Sequence, residues 1–171
     1  MSCKIKTGYT DNLLKIQIEG NGTWENAKFF LEFTKKYINE GKNKIFVDLS
    51  LCTFLDSTYF GVLAELTDVL KSSENSEFYL GNISDKIMKE IRTIGLNKLV
   101  AIAGDDENSR FAQIEIKESS FDEDFSKLQK AKQILKSHET LLQISEHNKE
   151  EFKDVVKYFK NYIDDLPEDA E

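Results

Sequence analysis

Between residues 12 and 102 the hydrophobic period switches back and forth between two and 3.6, and that alternation sets the architecture. Leu14, Ile16 and Ile18 alternate with polar neighbours over 12–19, which predicts a half-buried strand, with a shorter strand before it over 4–9. Thr23 is placed to cap a helix carrying Ala27, Phe30, Leu31, Phe33, Thr34, Tyr37 and Ile38, and Gly41 stops it. Lys44-Ile45-Phe46-Val47-Asp48-Leu49 has the composition of a central strand, and Val62, Leu63, Leu66, Val69 and Leu70 then form one apolar helical face. A strand over 77–80, a helix over 84–94 ended by Gly95, and a strand over 98–102 repeat the pattern. Strands alternating with helices of this length predict an α/β fold with a mostly parallel sheet joined by crossover helices.

The rest of the chain reads differently. Residues 104–109 form a polar loop, and Phe111, Ile114 and Ile116 suggest an edge strand over 111–116. From Asp122 onward the pattern is helical: Phe125, Leu128, Ala131, Ile134, Leu135, His138, Leu141 and Leu142 recur at helical spacing, as do Phe152, Val155, Val156, Phe159, Tyr162 and Ile163. Asn148-Lys149-Glu150-Glu151 reads as a capping box opening the second helix, and the tail beyond Pro167 is expected to fray. The expected organisation is an α/β domain over 1–117 and a helical hairpin with an acidic tail over 118–171. Charge divides the same way: of the net −8, residues 118–171 carry −6 (14 acidic, 8 basic).

Composition excludes several roles. The longest apolar run, 99–103, is far short of a membrane span, and the polar N-terminus lacks a signal-peptide core, so a cytoplasmic protein is expected. Cys3 and Cys52 cannot form a disulfide framework. Net negative charge disfavours direct nucleic-acid binding, which rests on neutralising phosphates. No cofactor is expected, because phosphate-cradling glycine motifs are absent, and His138 and His147 are too few for a closed zinc site. The acidic run Asp122-Glu123-Asp124 suits a helix start, and His138 fits a partly buried structural residue. Enzyme motifs fail as well: Thr58 stands where a phosphatase-type Cys52 would need an arginine, and Ser57 lacks the flanking glycines of a nucleophile elbow.

One connection remains informative, Leu55-Asp56-Ser57-Thr58-Tyr59-Phe60-Gly61-Val62-Leu63, between a strand and a helix. Ser57 is placed to be the helix N-cap, a role worth about 1 kcal/mol. Together with Val47-Asp48-Leu49, Tyr79-Leu80-Gly81-Asn82 and Ile94-Gly95-Leu96, this run resembles the STAS domain of bacterial anti-sigma factor antagonists over roughly residues 4–103. The resemblance implies a STAS-type mixed sheet with helices packed on it. It also implies a non-enzymatic switch protein in which Ser57 is phosphorylated, with Thr58 as the second choice. Asp56, Ser57, Thr58 and Tyr59 are then the expected partner contacts. Tyr59 departs from the family, where a small residue is usual, so the bulky ring is expected to alter kinase access or partner shape. Asp48 is expected to support the Asp56–Ser57 turn, Phe60 to fill the core, and Cys52 to be a buried, inert thiol.

The implied partners are an anti-sigma factor that is also a serine kinase, and a phosphatase that resets the switch. Phosphorylation adds about −1.5 to −2 charge at a helix N-terminus, which tolerates an anion. A docked partner would not, and losing about 3 kcal/mol weakens binding more than a hundredfold. Two alternatives carry less weight. One is an unphosphorylated STAS adaptor in a larger assembly; the other is a small hydrolase using Asp56 and Ser57, for which the sequence supplies no positioned base. The hairpin is expected to pack on the domain, with self-association through Phe152, Phe159 and Tyr162 as the alternative.

Overall fold

A computed structural model describes residues 2–120 and 124–167. Its six-stranded mixed sheet has the order β5-β4-β3-β2-β1-β6. Strands β1 (Lys4–Thr10) and β2 (Leu13–Gly22) form an antiparallel hairpin turned at Asp11, whose φ of 46° is left-handed. From β2 the chain passes through α1 (Trp24–Asn39) into β3 (Lys44–Leu55), which pairs parallel with β2. Helix α2 (Ser57–Lys71) then leads to β4 (Glu77–Gly81), and α3 (Asp85–Ile94) to the two-residue β5 (Ala101–Ile102), both parallel additions. The α/β layer anticipated from the hydrophobic period is present.

Three boundaries differ from expectation. The strand expected over 98–102 shrinks to Ala101–Ile102, because Leu96–Lys98 form a 3-10 turn after Gly95 (φ 85°). Residues 104–112 are not a loop and strand: Asp105–Ala112 is helix α4, whose acidic first turn suits the helix dipole, and Glu107 accepts from the Gly104 N–H at 2.8 Å. No strand forms over 111–116; the edge strand is β6 (Lys117–Glu118), just beyond that range, which pairs antiparallel with β1. Phe111 on α4 and Ile114 just past its end meet Phe46 and cover the second face of the sheet.

Strand β3 is longer than its apolar run suggested. Its pairing with β4 ends at Asp48↔Gly81, but Glu19↔Leu51 through Gly22↔Leu55 continue its pairing with β2 alone. The end of β3 therefore projects past the sheet and carries the following turn with it. On the main face Ile16, Ile18, Ile45, Val47 and Leu49 meet Phe30, Leu31, Val62, Leu63 and Leu66 in the principal core.

The hairpin comprises α5 (Lys127–Leu142) and α6 (Glu146–Asp165). Ser126 caps α5, so Asp124 precedes the helix, while Asp122 and Glu123 lie outside the described residues. Ser145, not Asn148, caps α6; the buried Asn148 amide instead donates to the carbonyls of Ile94 and Leu141. Helix α5 lies along α2 and touches α1, and α6 packs on α5. Leu141 joins the main core, so the hairpin is seated on the α/β layer.

Candidate functional site

The turn between β3 and α2 is built around Asp56. Its backbone is extended (φ −85°, ψ 172°), its Oδ1 accepts from Tyr59 N at 2.9 Å, and its Oδ2 accepts from Trp24 N at 2.7 Å. Asp56, and not Ser57, is therefore the N-cap: a carboxylate one residue earlier reaches the first-turn N–H groups and makes the stronger, charge-assisted bond. Trp24 opens α1, so one carboxylate ties the starts of two helices. Burial pushes the Asp56 carboxyl above its usual range, against the pull of these N–H groups and of His138.

Ser57, freed from capping, is the first residue of α2 and lies 2.8 Å, Oγ to Nε2, from His138 on α5. The other ring nitrogen, Nδ1, sits 2.7 Å from the Ile134 carbonyl, which can only accept. The neutral tautomer is thereby set: Nδ1–H donates to Ile134, and Nε2 accepts from the Ser57 hydroxyl. Burial holds the imidazole below its ordinary pKa, opposed by the Ile134 carbonyl and Asp56. His138 is 3 % exposed and meets the Phe152 ring edge-on at 5.4 Å. It is thus not simply a core histidine, and the sequence reading missed its place in the site.

The approach of α5 depends on Gly61. A Cβ there would stand 2.5 Å from both Ser137 Cβ and the Ser137 carbonyl oxygen. A second tie runs from Gln133 to Glu65 at 3.2 Å.

The remaining expected site residues fall elsewhere. Thr58 and Tyr59 point inward, with 3 % and 0 % exposure, which removes them from the accessible surface. The Tyr59 ring fills space that Gly22 leaves open and packs against Phe30 at 5.1 Å, so the bulky departure is absorbed by the core. Phe60 is buried as expected. Asp48 does not support the turn: it accepts from Ser50 N, Asn82 and Gln17 and pairs with Lys15 at 3.5 Å. Burial raises its carboxyl, but those hydrogen bonds and Lys15 outweigh burial and leave it below the usual range. Cys52 is buried, and desolvation pushes its thiol up to about 11.

Ser57 sits on the divide between two grooves. One, of about 580 Å³, is lined by Trp24, Ile134, His138, Phe159 and Tyr162, with Lys127 and Lys130 along it. The other, of about 830 Å³, runs toward α3 past Phe54, Phe60, Lys86 and Lys89. Among the described residues no cluster of histidine, cysteine or carboxylate side chains is arranged to hold a metal, and no helix is long and apolar enough to cross a membrane.

The STAS domain profile matches residues 4–108, and the chain belongs to the STAS domain family. Similar solved structures include a Thermotoga maritima protein, TM1081, described as a putative anti-sigma factor antagonist: 24 % identity, TM-score 0.55, covering 61 % of this chain and 90 % of that one. The anti-sigma factor antagonist SpoIIAA in its unphosphorylated form is 17 % identical, with a TM-score of 0.55 over 66 % of this chain and 96 % of its own. The Bacillus cell fate determinant SpoIIAA in phosphorylated form gives 17 % identity and a TM-score of 0.51, over 66 % and 100 % respectively. At these identities the likeness is one of fold. No curated protein matches the chain. Helices α5 and α6 lie beyond the residues that the family profile covers.

Proposed function

We propose that this chain is a cytoplasmic, phosphorylation-controlled binding protein of the anti-sigma factor antagonist type. It binds an anti-sigma factor that is also a serine kinase while Ser57 is unmodified, and releases it on phosphorylation; a phosphatase resets it. The observation that carries the reading is the position of Ser57, whose hydroxyl stands at the start of α2 on the projecting end of β3, beside an open groove. Asp56 and Ser57 form the contact turn, with Thr58 and Tyr59 bracing it from below. Phe54, 37 % exposed, with Lys86 above its ring at 5.7 Å, extends the surface toward an acidic and apolar partner.

Position also explains the switch. A phosphate at the first turn of α2 gains from the helix dipole but borders the Asp56 carboxylate, which already takes the first-turn N–H groups; a partner seated on the groove meets that added charge and loses affinity.

The serine and histidine pair revives a hydrolase on paper, because a base now faces the nucleophile. The electrostatics oppose it. The first-turn N–H groups of Thr58 and Tyr59, the natural oxyanion donors, are already directed at the Asp56 carboxylate, whose negative charge would border the developing oxyanion.

The test is a pull-down from the host with wild type, Ser57→Ala and Ser57→Asp, together with phosphosite mass spectrometry. Ser57→Ala is expected to retain the partner and Ser57→Asp to lose it. Equal retention by both variants, with no phosphate on Ser57 under any growth condition, would instead favour a fixed adaptor.

A further inference from the structure

We propose that the C-terminal hairpin carries a phosphate-binding site in cis, in which His138 and Lys130 hold the phosphate of modified Ser57, Lys127 adds positive charge farther along the same groove, and α5 is locked onto α2. This rests on Ser57 being the phosphoacceptor and adds what happens to the phosphate afterwards.

Transfer of a phosphoryl group from a nucleoside triphosphate forms the Oγ–P bond, breaks the bond to the departing nucleoside diphosphate and releases the hydroxyl proton. The hydrogen that Ser57 donates to His138 Nε2 is then gone, and the bare Nε2 lone pair faces an anion. Protonation of the ring restores a complete set of bonds: Nδ1–H still donates to Ile134 O, and Nε2–H now donates to a phosphate oxygen. The proton comes from solvent or from the phosphate monoanion, whose second ionisation lies near pH 6.

Room and charge are both present. The groove of about 580 Å³ opens directly on Ser57 and His138, and Lys127 and Lys130 line it. Among the described residues Lys130 pairs with Asp124, 3.6 Å away, whose side chain is fully exposed, so that pair is a weak one. Among the described residues that line this groove the one acid is Asp56, and both its oxygens are turned to backbone N–H groups; Asp124 reaches the groove only through Lys130. Helix α6 contributes Tyr158 and Tyr162 here and no charge. On the opposite groove, which shares Ser57, Lys86, Lys89, His147, Glu90 and Glu151 stand farther along α3 and α6. A phosphate held toward α5 is covered by the hairpin, so the modified state should resist dephosphorylation.

The full chain with phosphoserine installed at position 57 during translation tests this. In a 31P NMR titration the second phosphate pKa is expected about one pH unit below its ordinary value near 6. In Lys127→Ala/Lys130→Ala it should return toward 6, and a broad-specificity phosphatase should remove the phosphate several-fold faster. His138→Gln is expected to act in the same direction, and amide exchange in α5 should slow on phosphorylation of wild type only. Titration at the ordinary pKa, with equal hydrolysis rates in wild type and the double lysine variant, would overturn the cis site. Because the phosphate is installed rather than acquired, that result is independent of whether a host kinase modifies Ser57, which the pull-down and phosphosite measurement decide.

Discussion

Ser57 and His138, 81 positions apart in the chain, are joined at 2.8 Å by a hydrogen bond between the turn that marks the family and the helix that lies outside it. In the neutral imidazole Nε2 accepts this bond, and burial, which penalises the charged ring, lowers its pKa from the ordinary 6.5. The unfolded chain therefore binds more protons at this position than the folded one, so stability is full above 6.5 and falls as pH drops through that value toward the folded pKa. Asp56 acts in the opposite sense: its raised carboxyl favours the folded state as pH falls from its folded pKa toward its ordinary 3.8. Thermal melting from pH 7.5 to 5.5 should show a falling midpoint in wild type. In His138→Gln the curve should be flatter; an unchanged slope in that variant would place the dependence on another group.

Gly61 permits the approach that makes this bond. Alanine is the better helix former by about 0.5–1 kcal/mol. Its Cβ, however, would lie 2.5 Å from the Ser137 carbonyl oxygen, which is backbone and cannot swing aside. The clash wins, and Gly61→Ala is expected to cost about 1–3 kcal/mol as α5 shifts off α2. Urea unfolding gives the loss, and amide exchange should place the loosening in α5 while β2 and β3 stay protected. A variant more stable than wild type would mean that the hairpin is not seated on α2.

The sheet and its crossover helices were legible because each apolar run carries its own period: Leu14, Ile16 and Ile18 alternate, while Val62, Leu66 and Val69 recur helically. The stretch 111–116 misled because Ile114 and Ile116 alternate like a strand edge while Phe111 and Ile114 have the spacing of a helical turn, and the choice was made by Phe46 across the sheet. At the site, the turn could be located from residues 54–63. Which side chain caps it could not, since Asp56 and Ser57 are both good caps and the choice rests on Trp24 N, 32 residues away. The role of His138 was hidden for the same reason. Its helical spacing among Ile134 and Leu141 marks it as inward-facing, and nothing local says that inward means Ser57.

Tyr59 gives a sharper contrast between size and polarity. Its ring is fully buried, but its hydroxyl has no hydrogen-bond partner among the described residues, and burial pushes its pKa well above 10. An unmet buried polar group costs about 1–3 kcal/mol. Tyr59→Phe should therefore be neutral or stabilising by up to about 1 kcal/mol, whereas Tyr59→Ala, which empties the space beside Phe30 and Gly22, should cost about 3–5 kcal/mol. Chemical denaturation of the two variants checks both. A clear loss in Tyr59→Phe would point to a bonded hydroxyl.

Asp56 holds the site together from beneath, and two substitutions separate its charge from its shape. The carboxylate accepts from Tyr59 N and Trp24 N at once, capping α2 and fixing the first residue of α1. An asparagine keeps the volume, but only its oxygen accepts, and its NH2 would face one of the two backbone donors. Asp56→Asn should therefore lose about 1 kcal/mol, and Asp56→Ala, which leaves both donors unmet, about 2 kcal/mol. Trp24 is the chain's single tryptophan and is 44 % exposed at the groove, so its emission reports directly on this tie. In Asp56→Ala the emission should shift before global unfolding in a urea titration, because the start of α1 loosens first. If emission and circular dichroism stay coincident with wild-type midpoints, the double cap contributes nothing to the fold, and Ser57 is positioned by α5 alone.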